Sequence, residues 1–222
     1  MKVTRFIPLA LALALALSLV AGSAGAQSND PDVAAAQGKD PMPSGWQMRL
    51  DRPAASKATL RFVNMGPGMH VTSGPAAIYW HPTRTVSGAF VADVSMTQMK
   101  KPTHPEAYGI IWGGKNLDEA NQEYFYLIVR GDGKYMVKHR AGAVTHEIAP
   151  WTDHAAVAKE DAAGKAKNTL KVESTDAGTK LYANGQLLTE IPRSAGSADG
   201  IVGLRVNHNL DVHIDGFTVK KP

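Results

Sequence analysis

The chain contains no cysteine. That excludes a disulfide framework, thiolate chemistry and any zinc site built on cysteine sulfur, so the fold has to be held by burial alone. A surplus of one charge is also missing. Two of the 24 Lys and Arg residues are Lys2 and Arg5, which leaves 22 cations against 20 Asp and Glu over the rest of the chain. With no basic block, no nucleic-acid partner is expected. Helical periodicity is nearly absent, and there is no internal repeat of propeller or solenoid length.

A long apolar run occurs once, at the start. Lys2 and Arg5 are followed by "FIPLALALALALSLV" and then by "AGSAGA", where Ala24 and Ala26 form the small-x-small pattern of a signal-peptidase site. Residues 1–26 are therefore expected to be a secretory signal peptide, cleaved after Ala26. The run of about 15 apolar residues falls short of a membrane span, so no span is expected after cleavage. No cysteine follows that could carry a lipoprotein anchor. The expected destination is the periplasm or the medium. Residues 27–45, "QSNDPDVAAAQGKDPMPSG", are rich in Ala, Pro, Asp and Gly and read as a flexible leader. The remainder, 46–222, is long enough to bury one core as a single domain.

From Trp46 onward, short alternating apolar runs are cut by Gly, Pro, Asn and Asp. Strands are expected at 46–51, 59–65, 69–73, 76–81, 87–98, 108–113, 123–130, 134–140, 145–150, 169–175, 180–184, 187–191, 201–207 and 210–219. Strands at this spacing imply an all-β sandwich or barrel. Only "DHAAVAKEDAAGKAK" (153–167) has a composition that suits a short helix, or else a solvated loop outside the core.

"EYFYLIVRGDGKYMVKHR" (123–140) is the most informative stretch. Gly131-Asp132-Gly133 suits a three-residue hairpin loop, with a glycine available for positive φ. A symmetric register pairs Arg130 with Lys134, Ile128 with Met136, Tyr126 with Lys138 and Tyr124 with Arg140, all on one face. Phe125, Leu127, Val129, Tyr135, Val137 and His139 take the other face, which is continuous and apolar and is read as the core face. The first face combines aromatic rings with cations. It could present flat rings to a ligand, or it could simply cover the sheet with amphipathic side chains. The "Arg-Gly-Asp" tripeptide inside the turn is accounted for by turn chemistry rather than by cell adhesion. In "IVGLRVN", Val202, Leu204 and Val206 point one way and Gly203, Arg205 and Asn207 the other. Asn184-Gly185 is a two-residue hairpin turn.

Three segments in this order, "YFYLIVRGDGKYMVKHR", "NTLKVESTDAGTKLYANGQLL" and "GIVGLRVNHNLDVHIDGFTV", resemble the concanavalin A-like lectin/glucanase superfamily. They look in particular like exported bacterial domains of the LamG-like or 3-keto-disaccharide hydrolase-like kind. The resemblance covers roughly 58–220. It implies a jelly-roll β-sandwich of two curved antiparallel sheets, one concave and commonly carrying the ligand. It implies carbohydrate as partner, but leaves open lectins, hydrolases and adhesive modules.

Sugar binding needs flat rings and planar polar groups. The candidates are Trp80, Trp112, Tyr124 and Tyr126 for rings, and Lys138, Arg140, Arg205, Asn207 and Asp93 for polar contacts. Trp80 and Trp112 lie in strongly apolar runs, which suits a core position equally well. No strand carries the Glu-x-Asp-x-(x)-Glu pattern of the superfamily's glucanases, so that route to hydrolysis is not supported. A 3-keto sugar would need only one base with an electrophile or metal, and any of the eight histidines could serve, but their spacing places no two together. No cofactor is required by the sequence. The resemblance makes calcium or another divalent ion conceivable, with Asp215 in "HIDGFTV" as the matching aspartate.

Overall fold

The computed structural model describes residues 41–221. The expected signal peptide and the leader up to residue 40 lie outside the described residues. Over Pro41–Gly45 the chain already turns onto the domain, where Trp46 N donates to the Pro43 carbonyl at 3.2 Å.

The strands are β1 (Gln47–Leu50), β2 (Arg61–Met65), β3 (Gly68–Ser73), β4 (Ala77–Val86), β5 (Phe90–Gln98), β6 (Ala107–Lys115), β7 (Glu123–Arg130), β8 (Lys134–Ala141), β9 (Val144–Asp153), β10 (Ala166–Thr175), β11 (Gly178–Ala183), β12 (Gln186–Pro192), β13 (Gly200–Val206) and β14 (Leu210–Lys220). A single 3₁₀ turn, Arg193–Ala195, separates β12 from β13. Each expected strand has its counterpart. They form two seven-stranded antiparallel sheets, β1-β4-β13-β6-β7-β8-β9 and β12-β11-β10-β5-β14-β3-β2. The chain passes repeatedly between the sheets and runs locally in the β2–β3 hairpin and in the meanders β6–β9 and β10–β12. This is a jelly-roll β-sandwich: the alternating pattern implies the all-β class, and the resemblance implies the jelly roll.

Alternation decides which side chains meet between the sheets. Phe90, Ala92, Val94 and Met96 of β5 pack there with Tyr108, Ile110 and Trp112 of β6, Phe125, Leu127 and Val129 of β7, and Val202, Leu204 and Val206 of β13. The hairpin register matches expectation: Tyr124 faces Arg140, Tyr126 faces Lys138 and Ile128 faces Met136. Gly133 takes φ +88° at the turn. Arg130 and Asp132 pair with each other at 2.5 Å within that turn, which occupies both charged members of the tripeptide. Asn184 (φ +49°) and Gly185 (φ +81°) form the tight turn between β11 and β12.

Segment 153–167 corrects the expectation of a helix or solvated loop. Its start completes β9, and its end opens β10. Between them, Ala156 and Val157 are buried in the core. The buried Asn168 holds the loop in place, accepting from Ala158 N at 2.8 Å and donating to the Tyr108 hydroxyl at 3.1 Å. Asn184 adds bonds to the Ala156 carbonyl and to Asn168. Alanine content suits a helix, but turns within the loop, such as Val157 N to the His154 carbonyl at 3.0 Å, and bonds from Asn168 on β10 and Asn184 beyond β11 order it instead.

One glycine measures how tightly the sheets are built. A Cβ on Gly109 would fall inside contact distance of the Leu127 carbonyl oxygen and 2.9 Å from Ile128 Cα, both backbone atoms of the neighbouring strand. Gly88, by contrast, has φ +73° and nothing within 4 Å. Gly109→Ala is expected to cost about 3 kcal/mol by forcing β6 from β7. Gly88→Ala is expected to cost about 1 kcal/mol, from backbone strain alone. Urea unfolding of both variants checks this, and equal losses would contradict it.

Candidate functional site

The outward face of the first sheet carries a second apolar cluster, separate from the core: Ile78, Trp80, Ile111, Tyr124, Tyr126, Ile128 and Met136, with Leu117 of the β6–β7 loop and Trp151 of β9 against it. Tyr124 and Tyr126 lie with ring centroids 5.7 Å apart and inclined at 47°. They are 1% and 6% exposed, and Trp80 is 2% exposed. These three expected ligand rings therefore form a filled floor, with little ring face open to a partner. Burial pushes both tyrosine hydroxyls above their usual range, and the nearby Arg205 charge opposes the shift.

Arg205 crosses this floor. Its own register neighbour on β6 is Gly109, so no side chain blocks its path there. The guanidinium carbon sits 5.0 Å from the Tyr126 ring centroid, and Nη1 reaches the Tyr124 hydroxyl at 3.4 Å. Both terminal nitrogens bond the Asp51 carboxylate, Nη1 to Oδ1 at 2.9 Å. This bidentate pair joins residues 154 positions apart, tying the end of β1 to β13. Burial pushes the Asp51 carboxyl up, but the Arg205 bonds and charge, with Arg140 and Arg49 behind them, outweigh it. The net result is below the usual carboxylate range.

At the same end of the sheet, the loops after β1, β3 and β13 enclose a cleft of about 470 Å³ lined by Asp51, Arg52, Gly74, Ala76, Arg205, Asn207 and His208 among others. Two of its lining residues hold buried polar atoms with no hydrogen-bond partner, Arg205 Nε and Asn207 Oδ1, and Arg140 Nη1 on the floor is a third such atom. Unpaired buried polar atoms are costly, and a ligand offering hydroxyls would satisfy them. A larger cleft of about 590 Å³ lies at the opposite end, around Ser44, Trp46, His81 and Arg84. There the polar groups serve one another: Arg84 donates to the Phe217 carbonyl and His81 bonds Thr83. It is the poorer site on that ground.

Other expected site residues fall elsewhere. Trp112 is in the core, because β6 alternates and Trp112 shares the parity of Tyr108 and Ile110; it stacks on Phe125 at 5.6 Å and 15°. Asp93 lies on the outer face of the second sheet, opposite Lys171 and Thr218, and does not meet the cleft. Lys138 pairs loosely with Glu147 at 3.8 Å. Asp215 meets His213 at 3.2 Å on the second sheet's outer face and joins no group of three metal-ligating side chains among the described residues.

Such a group does form at the cleft, from His104, Glu106 and His208. Sequence spacing could not find it. The pairing of Val206 with Tyr108 brings the ends of β13 and β6 together, so that Asn207 N bonds the Ala107 carbonyl at 2.9 Å and the residues beyond each strand become neighbours. Burial raises the Glu106 carboxyl above its usual range, opposed by His208, Asn207, His104 and Arg130. Asp51 was equally silent in sequence, being one acid at a strand end with its partner far along the chain.

No protein-family model and no curated protein matches the chain. Solved structures do. The carbohydrate binding module CBM66 from Bacillus subtilis superposes with a TM-score of 0.59 at 15% identity, covering 80% of this chain and 96% of that one. The carbohydrate recognition domain of Emp46p, in its potassium-bound form, gives 0.53 at 11% identity over 79% of this chain and 88% of its own. The corresponding domain of Emp47p gives 0.50 at 9% identity, over 84% and 92%. At these identities the likeness is one of fold.

Proposed function

We propose that this is an exported glycan-recognising protein whose ligand lies on the outer face of the first sheet, in the cleft beside Arg205. The observation that carries the proposal is the cleft's chemistry. Planar groups of Arg205 and Asn207 offer unsatisfied donor and acceptor atoms next to the Asp51 carboxylate, and the volume suits a small-molecule site of about 300–1,000 Å³. Sugar hydroxyls both donate and accept, which is what such a mixed set selects. The carbohydrate-binding neighbours of the same fold support the choice of ligand class, and the start of the sequence supports export. The sheet is taken to be the concave one, and the tyrosine floor serves to hold the Arg205 guanidinium rigid rather than to stack on sugar.

Asn207→Ala is expected to weaken binding of the recognised oligosaccharide about tenfold, a loss of about 1.4 kcal/mol, with only a small change in melting temperature without ligand. Asp93→Asn should leave binding unchanged. The measurement is a thermal-shift panel of neutral and uronate-containing oligosaccharides, followed by calorimetric titration of any that stabilises the protein. Stabilisation by none of them would overturn the proposal and favour a structural module of the cell envelope, which the filled aromatic floor would suit.

A second activity is favoured by one specific observation, the His104–Glu106–His208 group beside the same cleft. It would suit a hydrolase or lyase acting on a glycoside or 3-keto-glycoside, with a histidine or the carboxylate as base. Release of free sugar from a bound oligosaccharide would establish that activity.

A further inference from the structure

We infer that His104, Glu106 and His208 form a binding site for a divalent transition-metal ion. The site opens on the cleft and is distinct from any calcium site at Asp215. Glu106 is the residue before β6 and His208 the second after β13, and the pairing of those strands sets them side by side. His104 stands two residues before Glu106, in a "Pro-Thr-His-Pro-Glu" segment whose prolines at 102 and 105 restrict the chain.

The side chains then converge. His208 Nε2 is 3.0 Å from Glu106 Oε1, the two histidine rings lie 6.0 Å apart, and ligand atoms of all three residues fall within 4.8 Å of one another. Two ligands about 2.1 Å from one ion are roughly 3–3.5 Å apart, so the His208–Glu106 spacing needs little adjustment. His104 and His208 are exposed and can turn to close the set.

Glu106 supplies an independent argument. It is 8% exposed, the least exposed carboxylate among the described residues. Burying a carboxylate is costly, and a dication held among these three side chains would offset that cost. Asn207 stands close enough to Glu106 to favour its charged form, as a supporting partner does in metal sites.

The donor set selects the ion. Two imidazoles and one carboxylate suit zinc and its neighbours in the first transition row, whereas calcium and magnesium prefer oxygen throughout. Three protein ligands also leave a position open. His208 also lines the cleft, so an ion held there would stand beside whatever the cleft holds. If the cleft binds a glycan, the ion takes a hydroxyl or carbonyl oxygen of it; this last step rests on the proposed function, while the metal site itself does not.

The test is titration of Zn²⁺ into the purified, untagged, chelator-stripped protein by calorimetry, with no sugar present. One ion per chain is expected. His104→Gln and His208→Gln, both surface changes, should each weaken it roughly 30-fold or more while near-ultraviolet circular dichroism stays unchanged. Asp215→Asn should bind as the parent does, and excess Ca²⁺ should not compete. Cobalt(II) in place of zinc should give visible absorption bands that are lost in both histidine variants. Absence of stoichiometric binding, equal binding by the histidine variants, or displacement by Ca²⁺ would each overturn the site. A glycan affinity unaffected by chelation, with zinc binding as expected, would remove only its contact with the sugar.

Discussion

Asp51→Ala is expected to destabilise the protein by about 3 kcal/mol, lowering its melting temperature by roughly 6–12 °C. The substitution leaves the Arg205 guanidinium, 8% exposed, without its counter-ion on an apolar floor of Tyr124 and Tyr126. Complete burial would push the cost toward 5 kcal/mol; the Asp51 side chain keeps 27% exposure, which places it at the lower end. Adding Arg205→Met should recover much of the loss, since an apolar side chain then replaces the orphaned charge. The double variant would lose ligand binding even as it regains stability. If Asp51→Ala melts as the parent does, the pair is not the tie between β1 and β13 described above.

The same pair sets an acid limit. The Asp51 carboxyl is held below its usual value in the folded protein, so its contribution is fully present above the unfolded value of about 3.9. It fades as pH falls through the lower folded value. The stability gap between the parent and Asp51→Asn should therefore be constant at neutral pH and close only in strong acid.

Trp112→Ala is expected to cost about 4 kcal/mol, or roughly 8–16 °C in melting temperature. Trp112 is 1% exposed and stacks on Phe125, whose other contacts include the bend at Gly196, where an added Cβ would come within 2.8 Å of the ring. A site packed this closely cannot collapse around a missing indole. The size of the effect also separates two roles for this ring. As a core residue it should tolerate Trp112→Phe with a modest stability loss and unchanged affinity for the cleft's ligand. A ligand-stacking tryptophan would show the reverse, with affinity falling and stability preserved.

Much of the fold was legible because alternation is a local signal. The 123–140 hairpin could be assigned face by face, and "IVGLRVN" sorted into core and outward residues, since period two needs no knowledge of partners. Segment 153–167 was not legible: Asn168 and Asn184 hold it, and neither lies within it. The parity of Trp112 was available in principle, because Tyr108, Ile110 and Trp112 share a face. Its neighbours Gly113 and Gly114 suggested an open strand end, whereas Gly113 takes φ +66° in a bulge beside the Ser197 carbonyl. The cleft was the least legible part. Asp51 meets Arg205, and Glu106 meets His208, only through the long-range register of β1, β4, β13 and β6, which a single sequence does not state.

The measurement that tests the account most directly is a residue-resolved NMR titration with the oligosaccharide that most stabilises the protein. The account predicts shifts clustered at Arg205 and Asn207, at Gly74–Ala76 and at Arg52, with the amides around Asp93 undisturbed. Shifts centred on the opposite cleft at His81 and Arg84, or on the outer face of the second sheet, would contradict it.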